Sequence, residues 1–567
     1  MNRTRGPLPV TGLRSVTPYR PGRTACPTDL RLDGNEGRTP PERLLDRLVD
    51  AGTEVLRRYP ERRTLEERLA DRLRLDPAGV LVTAGADDSL DRICRAYLDT
   101  ARNLVVAVPT FEMIPRYARL TGASVREAAW PRGSFPVDEI LALTDENTGV
   151  IAVVSPNNPT GAVATAADLA RLSAGAPGAL LLVDLAYGEF ADEDLMPAVL
   201  ALPNAVGVRS LSKAWGLAGL RVGYVAGPVD IIAPLRAAGG PYAVSGPSLL
   251  MATEALADGA AVDDYAGRIR QERLGLEQDL ADLGADPAPS QGNFVYTTGA
   301  DPVWLRDGLA GLGIAVRLFD PAVVPGAVRI TCPGDAEACG RLRRALRTVL
   351  APEALLFDMD GVLADVSTSY RRAILETARH FGEEFSPGDI AAAKRQPGSN
   401  NDWVVTRALL AGRGVDVDLA AVTARFQEIY GELAASEKLI PARELLRRLA
   451  ATMPLAIVTG RPRADAAVFI ERMDIGKFFT TVICLEDGPG KPDPATVNLA
   501  LERLNVRHAW MVGDTVNDIG AARAAGVLPL GVVPPGESAA DYPAILTAAG
   551  AGRILNQLAD LEEVLPR

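Results

Sequence analysis

Histidine is nearly absent from this chain: His380 and His508 are the only two in 567 residues, and neither sits in a metal-ligand or triad spacing. That excludes histidine-ligated metal catalysis and Ser–His hydrolysis, and leaves chemistry to Lys, Asp, Tyr and cofactors. The five cysteines, Cys26, Cys94, Cys332, Cys339 and Cys484, are scattered with no CxxC pair. They read as reduced thiols rather than disulfides or zinc ligands. No apolar run approaches the roughly 18 residues a membrane span needs, and no apolar segment follows Met1–Pro7 as in a signal peptide, so a cytoplasmic protein without membrane contact is expected. A basic surplus is also missing: 60 Lys and Arg stand against 72 Asp and Glu, a net charge of -12. This argues against nonspecific nucleic-acid binding, while local Arg and Lys can still receive small anionic substrates.

What is present is enough chain for more than one core. The length suggests two to four domains, and 47% apolar with 23% charged residues is ordinary for a globular protein. Residues 1–30, rich in Pro, Arg and Thr, read as an extended arm. From about Pro41 to Leu350, strand-like runs (Val80–Val82, Asn103–Val108, Val150–Val154, Leu180–Val183) alternate with helical stretches, the pattern of an α/β fold with a parallel sheet. Arg341–Leu350 reads as a last helix, and Pro352 favours a break after it. The expected division is 1–352 and 353–567. The second part carries strands at Leu355–Phe357, Leu455–Val458, Val482–Leu485 and Ala509–Val512, with a mostly helical insert at about 366–450.

In the first part, Lys213 lies among Ser210, Ser212, Gly216, Gly219 and Arg221. A lysine can bind an aldehyde as a Schiff base, and small hydroxyls with an Arg suit a phosphate. Asp184 ends a strand with Tyr187 three residues on, and such a carboxylate can pair with a protonated pyridine nitrogen. Ser155–Gly161 is a polar turn, and Thr83–Ser89 opens a helix whose free N–H groups form an anion site.

Taken together, in this order, these segments resemble the fold-type I pyridoxal-phosphate aminotransferases, most closely the histidinol-phosphate aminotransferase family, over about residues 30–350. The resemblance implies that Lys213 holds the cofactor and moves the proton. It implies that Asp184 pairs with the ring nitrogen, Asn158 and Tyr187 with the ring oxygen, and that Phe111 stacks on the ring. Ala86, Asp87, Ser210, Ser212 and Arg221 would hold the phosphate. Tyr59 would reach the phosphate of a neighbouring subunit, implying a homodimer. Arg329 would clamp the substrate carboxylate, with Arg317 either adding to the clamp or standing on the surface. Asn35, in the segment Leu32–Pro40 that departs from the family's usual Asn-Glu-Asn-Pro form, would line the substrate side. Leu185 replaces the family's usual acidic residue after Asp184.

The second part opens on Asp358-Met359-Asp360-Gly361, followed by Ile457–Arg461, Lys491–Pro494 and Val512–Asp518. A carboxylate can attack phosphorus if a cation screens the repulsion, which makes Asp358 the candidate nucleophile and Asp360 the candidate acid–base. Thr459, Gly460 and Lys491 would hold phosphoryl oxygens. Asp358, Asp360 (through its backbone carbonyl) and Asp514 would bind Mg2+, with Asp518 orienting Lys491 or assisting the metal. The set resembles the haloacid dehalogenase superfamily over about residues 354–567, a Rossmann-like core with the insert as its cap. The second aspartate favours phosphoryl transfer over dehalogenation. Lys394 and Lys438 are candidates for the cap lysine of phosphonate-cleaving relatives, and Lys394–Trp403 is the cap's most distinctive loop.

The expected protein is therefore bifunctional: a PLP-dependent aminotransferase of large and small domains, then a Mg2+-dependent phosphatase, acting on small amino or keto acids and phosphoesters. Histidinol phosphate would join the two activities. The alternatives are a secondary-metabolic transaminase fused to a phosphatase of other specificity, or one unit serving as a non-catalytic regulatory module.

Overall fold

A computed structural model describes Leu13 and residues 24–321, 324–394, 401–535 and 541–566. Most of the expected arm at 1–30 and residues 395–400 of the distinctive insert loop lie outside the described residues. Contacts divide the chain into two compact units. The first is built on Leu32–Ala300 and Arg317–Cys339, and the second on Asp301–Val316 and Gly340–Arg567 with a short N-terminal piece ending at Arg31.

The first unit is organised by a seven-stranded sheet: β1 (Val80–Thr83), β2 (Asn103–Val108), β3 (Ser124–Ala129), β4 (Thr148–Val154), β5 (Leu180–Asp184), β6 (Ala205–Ser210) and β7 (Gly223–Ala226). Their spatial order is β1-β7-β6-β5-β4-β2-β3. All neighbouring pairs are parallel except those of β7, which runs against both β1 and β6. The sheet is thus mixed where a parallel one was expected. Central strands read as unbroken apolar runs because both faces are covered. Leu81, Val106, Ala152, Leu182 and Val208 share one core with Leu90 and Ile93 of the helix α1 (Gly85–Tyr97). Strands β1 to β6 all end at one edge, and the start of β7 lies there too, since Gly223 pairs with Thr83 and Ser210. A Cβ on Gly223 would fall 2.7 Å from the Ala86 nitrogen and 2.8 Å from the Arg209 carbonyl, so only glycine lets α1 start so close to the sheet. Beside this sheet, β8 (Phe294–Thr297) pairs antiparallel with β10 (Val328–Thr331), and the end of β9 (Ile314–Leu318) sets Arg317 opposite Arg329.

In the second unit, β11 (Ala354–Phe357) is central in an all-parallel sheet of order β15-β14-β11-β16-β17-β18. The other strands are β14 (Leu455–Val458), β15 (Thr481–Ile483), β16 (Ala509–Gly513), β17 (Leu528–Val532) and β18 (Arg553–Leu555). A ribbon of β12 (Ala364–Asp365) and β13 (Lys438–Leu439) brackets the insert. Within it α4 (Tyr370–His380), α5 (Pro387–Lys394), α6 (Asp402–Gly412) and α7 (Leu419–Leu433) carry a core of their own from Tyr370, Ile374, Phe426 and Tyr430. Helices α2 (Pro302–Gly311) and α3 (Ala336–Leu350) also contribute to this unit. Trp304 packs on Trp510 at 4.9 Å between ring centroids, and Trp510 Nε1 donates to the Thr348 carbonyl at 2.6 Å. By contacts, α3 falls across the division between the units, with Gly340–Leu350 in the second. No helix among the described residues is long and apolar enough to cross a membrane.

Trp510 is fully buried in this contact. Trp510→Ala should lower the stability of the second unit by about 3–5 kcal/mol, measured by denaturant unfolding, because it opens a cavity and strands a carbonyl.

Candidate active sites

In the first unit the strand ends deliver polar groups into one cavity of about 590 Å3, a volume suited to a small cofactor with its substrate. Asp184 is the last residue of β5 and Ser210 the last of β6; Asn158 and Phe111 follow β4 and β2, and Ala86 and Asp87 lie in the first turn of α1. All of these line the cavity, together with Tyr187, Ser212, Lys213, Arg221, Arg317 and Arg329. Lys213 Nζ donates to the Gly34 carbonyl at 3.0 Å and lies 5.5 Å over the Tyr187 ring. The segment around Gly34 comes this close because of Gly37 and Gly216. A Cβ on Gly37 would sit 1.5 Å from the Lys213 carbonyl oxygen, and one on Gly216 (φ +72°) would sit 2.0 Å from that of Arg38.

The polar groups are already connected. Arg329 donates to Asn158 Oδ1 at 2.5 Å and to the Asp33 carbonyl at 2.8 Å. Asn35, fully buried, donates through Nδ2 to the Tyr187 hydroxyl at 3.0 Å and accepts from Thr331. It thus positions Tyr187, a contact the sequence did not suggest. Arg221 reaches Ser212 Oγ at 3.4 Å and Asp87 at 3.0 Å. The Asp87 side chain is itself an anion, so it can serve a phosphate only through its backbone N–H. Arg317 lies 3.5 Å from Glu112 with its side chain only 16% exposed, which places it in the cavity wall rather than on the surface. Tyr59 is elsewhere: it is 80% exposed and stacks on Tyr242 at 4.5 Å, outside its own chain's cavity.

In the second unit Asp358 follows β11, Thr459 follows β14 and Asp514 follows β16. Ligand oxygens of Asp358, Asp514 and Asp518 lie within 4.8 Å of one another, all three residues buried, a donor set suited to a hard divalent cation. Lys491 Nζ donates to Asp358 Oδ1 at 2.6 Å and to the Val458 carbonyl at 3.0 Å, and also contacts Asp518. The second oxygen of Asp518 accepts from Thr515, so this aspartate both orients Lys491 and caps α8 (Val516–Ala524). A Cβ on Gly361 (φ +77°) would fall 2.2 Å from Asp514 Oδ2. Gly361 is therefore a space requirement of the cluster. Burial raises Asp358 to about 7, Asp518 and Asp360 push the same way, and Lys491 opposes them. Burial alone would lower Lys491, but Asp358 and Asp518 outweigh it and hold its pKa above the ordinary value.

The Asp360 carboxylate does not join the cluster; its Oδ1 accepts from Arg461 Nε at 2.5 Å. Arg461 stood in view in the sequence beside Thr459 and Gly460, yet nothing local pointed to its partner. Thr459 is buried, its hydroxyl accepting from the Arg461 N–H at 3.1 Å. Gly460 lines a small cavity of about 30 Å3 with Asp360, Arg461, Asn401, Asp402 and Trp403, where the described end of the distinctive loop meets the core. Asn401 caps α6 there through the N–H groups of Trp403 and Val404. Lys438 is exposed on β13, and the Lys394 side chain lies outside the described residues. Of the histidines, His508 Nδ1 is 3.0 Å from Thr348 Oγ1 and His380 ends α4; neither lines a site cavity among the described residues.

Burial raises Asp184 from an ordinary 3.8 to about 7; the Ala186 N–H opposes this, Asp87 adds to it, and Lys213 opposes it. Without cofactor, the folded state keeps a proton that the unfolded chain gives up between those values, so stability falls as pH rises through that window. Asp184→Asn has no such proton to lose. Its cofactor-free form should be more stable than the parent at pH 8, by at most roughly 4 kcal/mol, and so melt higher, with the gap closing toward pH 4. Added pyridoxal phosphate should raise the parent's melting temperature more than the variant's, because only the carboxylate pairs with a pyridinium. Thermal melts across pH, with and without cofactor, check both statements.

A profile of the family described as aminotransferase class I and II matches residues 29–346, and one for haloacid dehalogenase-like hydrolase matches residues 352–526. The histidinol-phosphate aminotransferase of Granulibacter bethesdensis is 31% identical over 362 residues, covering 61% of this chain and 96% of that protein. A Phytophthora nicotianae protein described as imidazoleglycerol-phosphate dehydratase is 44% identical over 220 residues. That match covers 36% of this chain, which spans about half the length of that relative. Among solved structures, the histidinol-phosphate aminotransferase of Sinorhizobium meliloti in complex with pyridoxal-5'-phosphate superimposes with a TM-score of 0.53 at 23% identity. It covers 61% of this chain and all of that one, a likeness of fold. The chain belongs to the class I and II aminotransferases, with a haloacid dehalogenase-like hydrolase domain following that region in the sequence.

Proposed function

We propose that residues 1–352 form a pyridoxal-phosphate-dependent aminotransferase that takes histidinol phosphate or a similar phosphorylated amino compound. Residues 353–567, with a cap at about 366–450, are the phosphomonoesterase, working through an aspartyl-phosphate with Mg2+. The observation that carries the reading is the completeness of both sites: Lys213, Asp184 and Arg329 share one cavity, and Lys491 joins Asp358 to Asp518 beside Asp514.

Bound pyridoxal phosphate would supply an electron sink that acidifies the substrate α-carbon. Asp184 would hold the ring nitrogen's proton, and Lys213 Nζ would move the proton off the α-carbon. Arg329 would exchange Asn158 and the Asp33 carbonyl for a substrate carboxylate, a bidentate pairing its planar fork suits. Tyr59, exposed and outside its own chain's cavity, fits a homodimer with shared sites.

Bound Mg2+ would screen the repulsion between phosphate and carboxylates. Asp358 would attack phosphorus as the ester P–O bond breaks, and Asp360 would give its proton to the leaving oxygen. Asp360 would then take a proton from the water that cleaves the acyl phosphate, releasing inorganic phosphate. Thr459, Gly460 and Lys491 would hold the phosphoryl oxygens. The substrates are small molecules, in keeping with a cytoplasmic enzyme of amino-acid biosynthesis.

Purified protein given pyridoxal phosphate, Mg2+, histidinol phosphate and 2-oxoglutarate should form glutamate and release phosphate. Lys213→Ala should abolish glutamate formation and spare phosphate release; Asp358→Asn should do the reverse, each by at least about 1,000-fold. Activity on other amino acids and phosphoesters, with histidinol phosphate inert, would move both catalysts to a different pathway. Activity unchanged in both variants would leave a non-catalytic module as the reading.

A further inference from the structure

Arg461 is a buried cation to which the proposed phosphatase reaction gives no role. It follows Thr459-Gly460 at the end of β14, and its side chain is 1% exposed. Nη1 and Nη2 donate to the two oxygens of Glu437, each at 3.1 Å, and Nη1 also donates to the Tyr430 hydroxyl at 3.2 Å. The guanidinium lies 4.8 Å over the Tyr370 ring. Glu437 is itself buried and accepts from Ser369 Oγ at 2.7 Å. These partners belong to the insert: Ser369 and Tyr370 begin α4, Tyr430 ends α7, and Glu437 precedes β13.

Glu437 takes both Nη groups of Arg461 and also faces Arg472 at 3.7 Å, so the insert supplies a bidentate anchor for the guanidinium. The remaining donor, Nε, points at the core and meets Asp360 Oδ1. The Asp360 backbone is fixed from the other side, since the Gly361 N–H donates to the Ala364 carbonyl at 2.9 Å and Gly361 packs under Asp514. With Oδ1 held, Oδ2 is the oxygen left to give and take a proton.

We infer that Arg461 is a positioning residue that fixes the Asp360 carboxylate for proton exchange, and that it can do so only while Tyr370, Tyr430 and Glu437 of the insert are seated around it. This rests on the phosphatase reading of residues 353–567. Proton donation to the leaving oxygen would then depend on the seating of the insert, with Arg461 acting through Asp360.

The test compares two substrates in the full-length enzyme with Mg2+. Glycerol 2-phosphate needs a proton on its leaving alkoxide; p-nitrophenyl phosphate leaves as a stabilised anion and needs none. In Arg461→Lys, kcat/KM for glycerol 2-phosphate should fall about 100-fold and that for p-nitrophenyl phosphate by less than about 5-fold, in line with the worth of general-acid help. In an Asp360→Asn background the same change should have no further effect on either substrate. Equal losses on both substrates, or an undiminished loss in the Asp360→Asn background, would overturn the inference. If Arg461→Lys does not fold, Tyr430→Phe removes a single hydroxyl from its partners and should show the same selectivity at about 3-fold; no selectivity there would also overturn it. Asp358→Asn separates the two readings: phosphate release that survives it removes the phosphatase reading itself, whereas its loss together with an unselective Arg461→Lys removes only this inference.

Discussion

Lys491 Nζ lies 2.6 Å from Asp358 and against Asp518, with all three side chains at most 8% exposed. Asp514 completes the carboxylate cluster. Carboxylates this close, away from water, repel one another, and burial adds to the penalty. One ammonium offsets part of it, and burial with the neighbouring carboxylates still pushes Asp358 above the ordinary carboxylate range. The rest of the hydrolase domain is arranged around this balance. Three neighbouring strands end beside it, Gly361 makes room for Asp514, and Asp518 divides its oxygens between Lys491 and the helix start at Thr515. Under the proposed reading, a divalent cation would supply the remaining countercharge.

The aminotransferase site meets the same constraint differently. Asp184 is as deeply buried as Asp358 but has no ammonium in contact; Lys213 turns instead to a neutral carbonyl at Gly34. Under the proposed reading, bound pyridoxal phosphate would supply the countercharge for Asp184. Both sites use one architectural device: the ends of parallel strands expose backbone and polar side chains at an edge where the apolar runs stop.

Arginine links distant segments in both sites. Arg329 joins Asn158 to the Asp33 backbone, and Arg461 joins Asp360 to the insert. A planar guanidinium with five donors can bond two or three groups at once, which a lysine cannot do in fixed directions. Asn35 has a similar linking role in neutral form, between Thr331 and Tyr187.

The chemistry at each strand end was legible from the chain alone. Apolar runs at 80–83, 148–154, 180–184, 354–357, 455–458 and 509–513 are strands, and the polar groups closing them line the sites. That much is local: a buried strand must be apolar, and its end is the first place a charge can stand. The reversed strand β7, the packing of Trp304 on Trp510 and the grip of Arg461 on Asp360 had no such signature. Arg461 and Asp360 are 101 positions apart, and Arg329 and Asn158 are 171 apart. The sequence by itself determined which functional groups stand at the strand ends and in what order, because alternation of apolar runs and polar turns is a property of neighbouring residues. Only the tertiary structure decided which of those groups hold one another, because such pairs form where the chain returns after long excursions, and the return is set by the packing of whole helices and sheets.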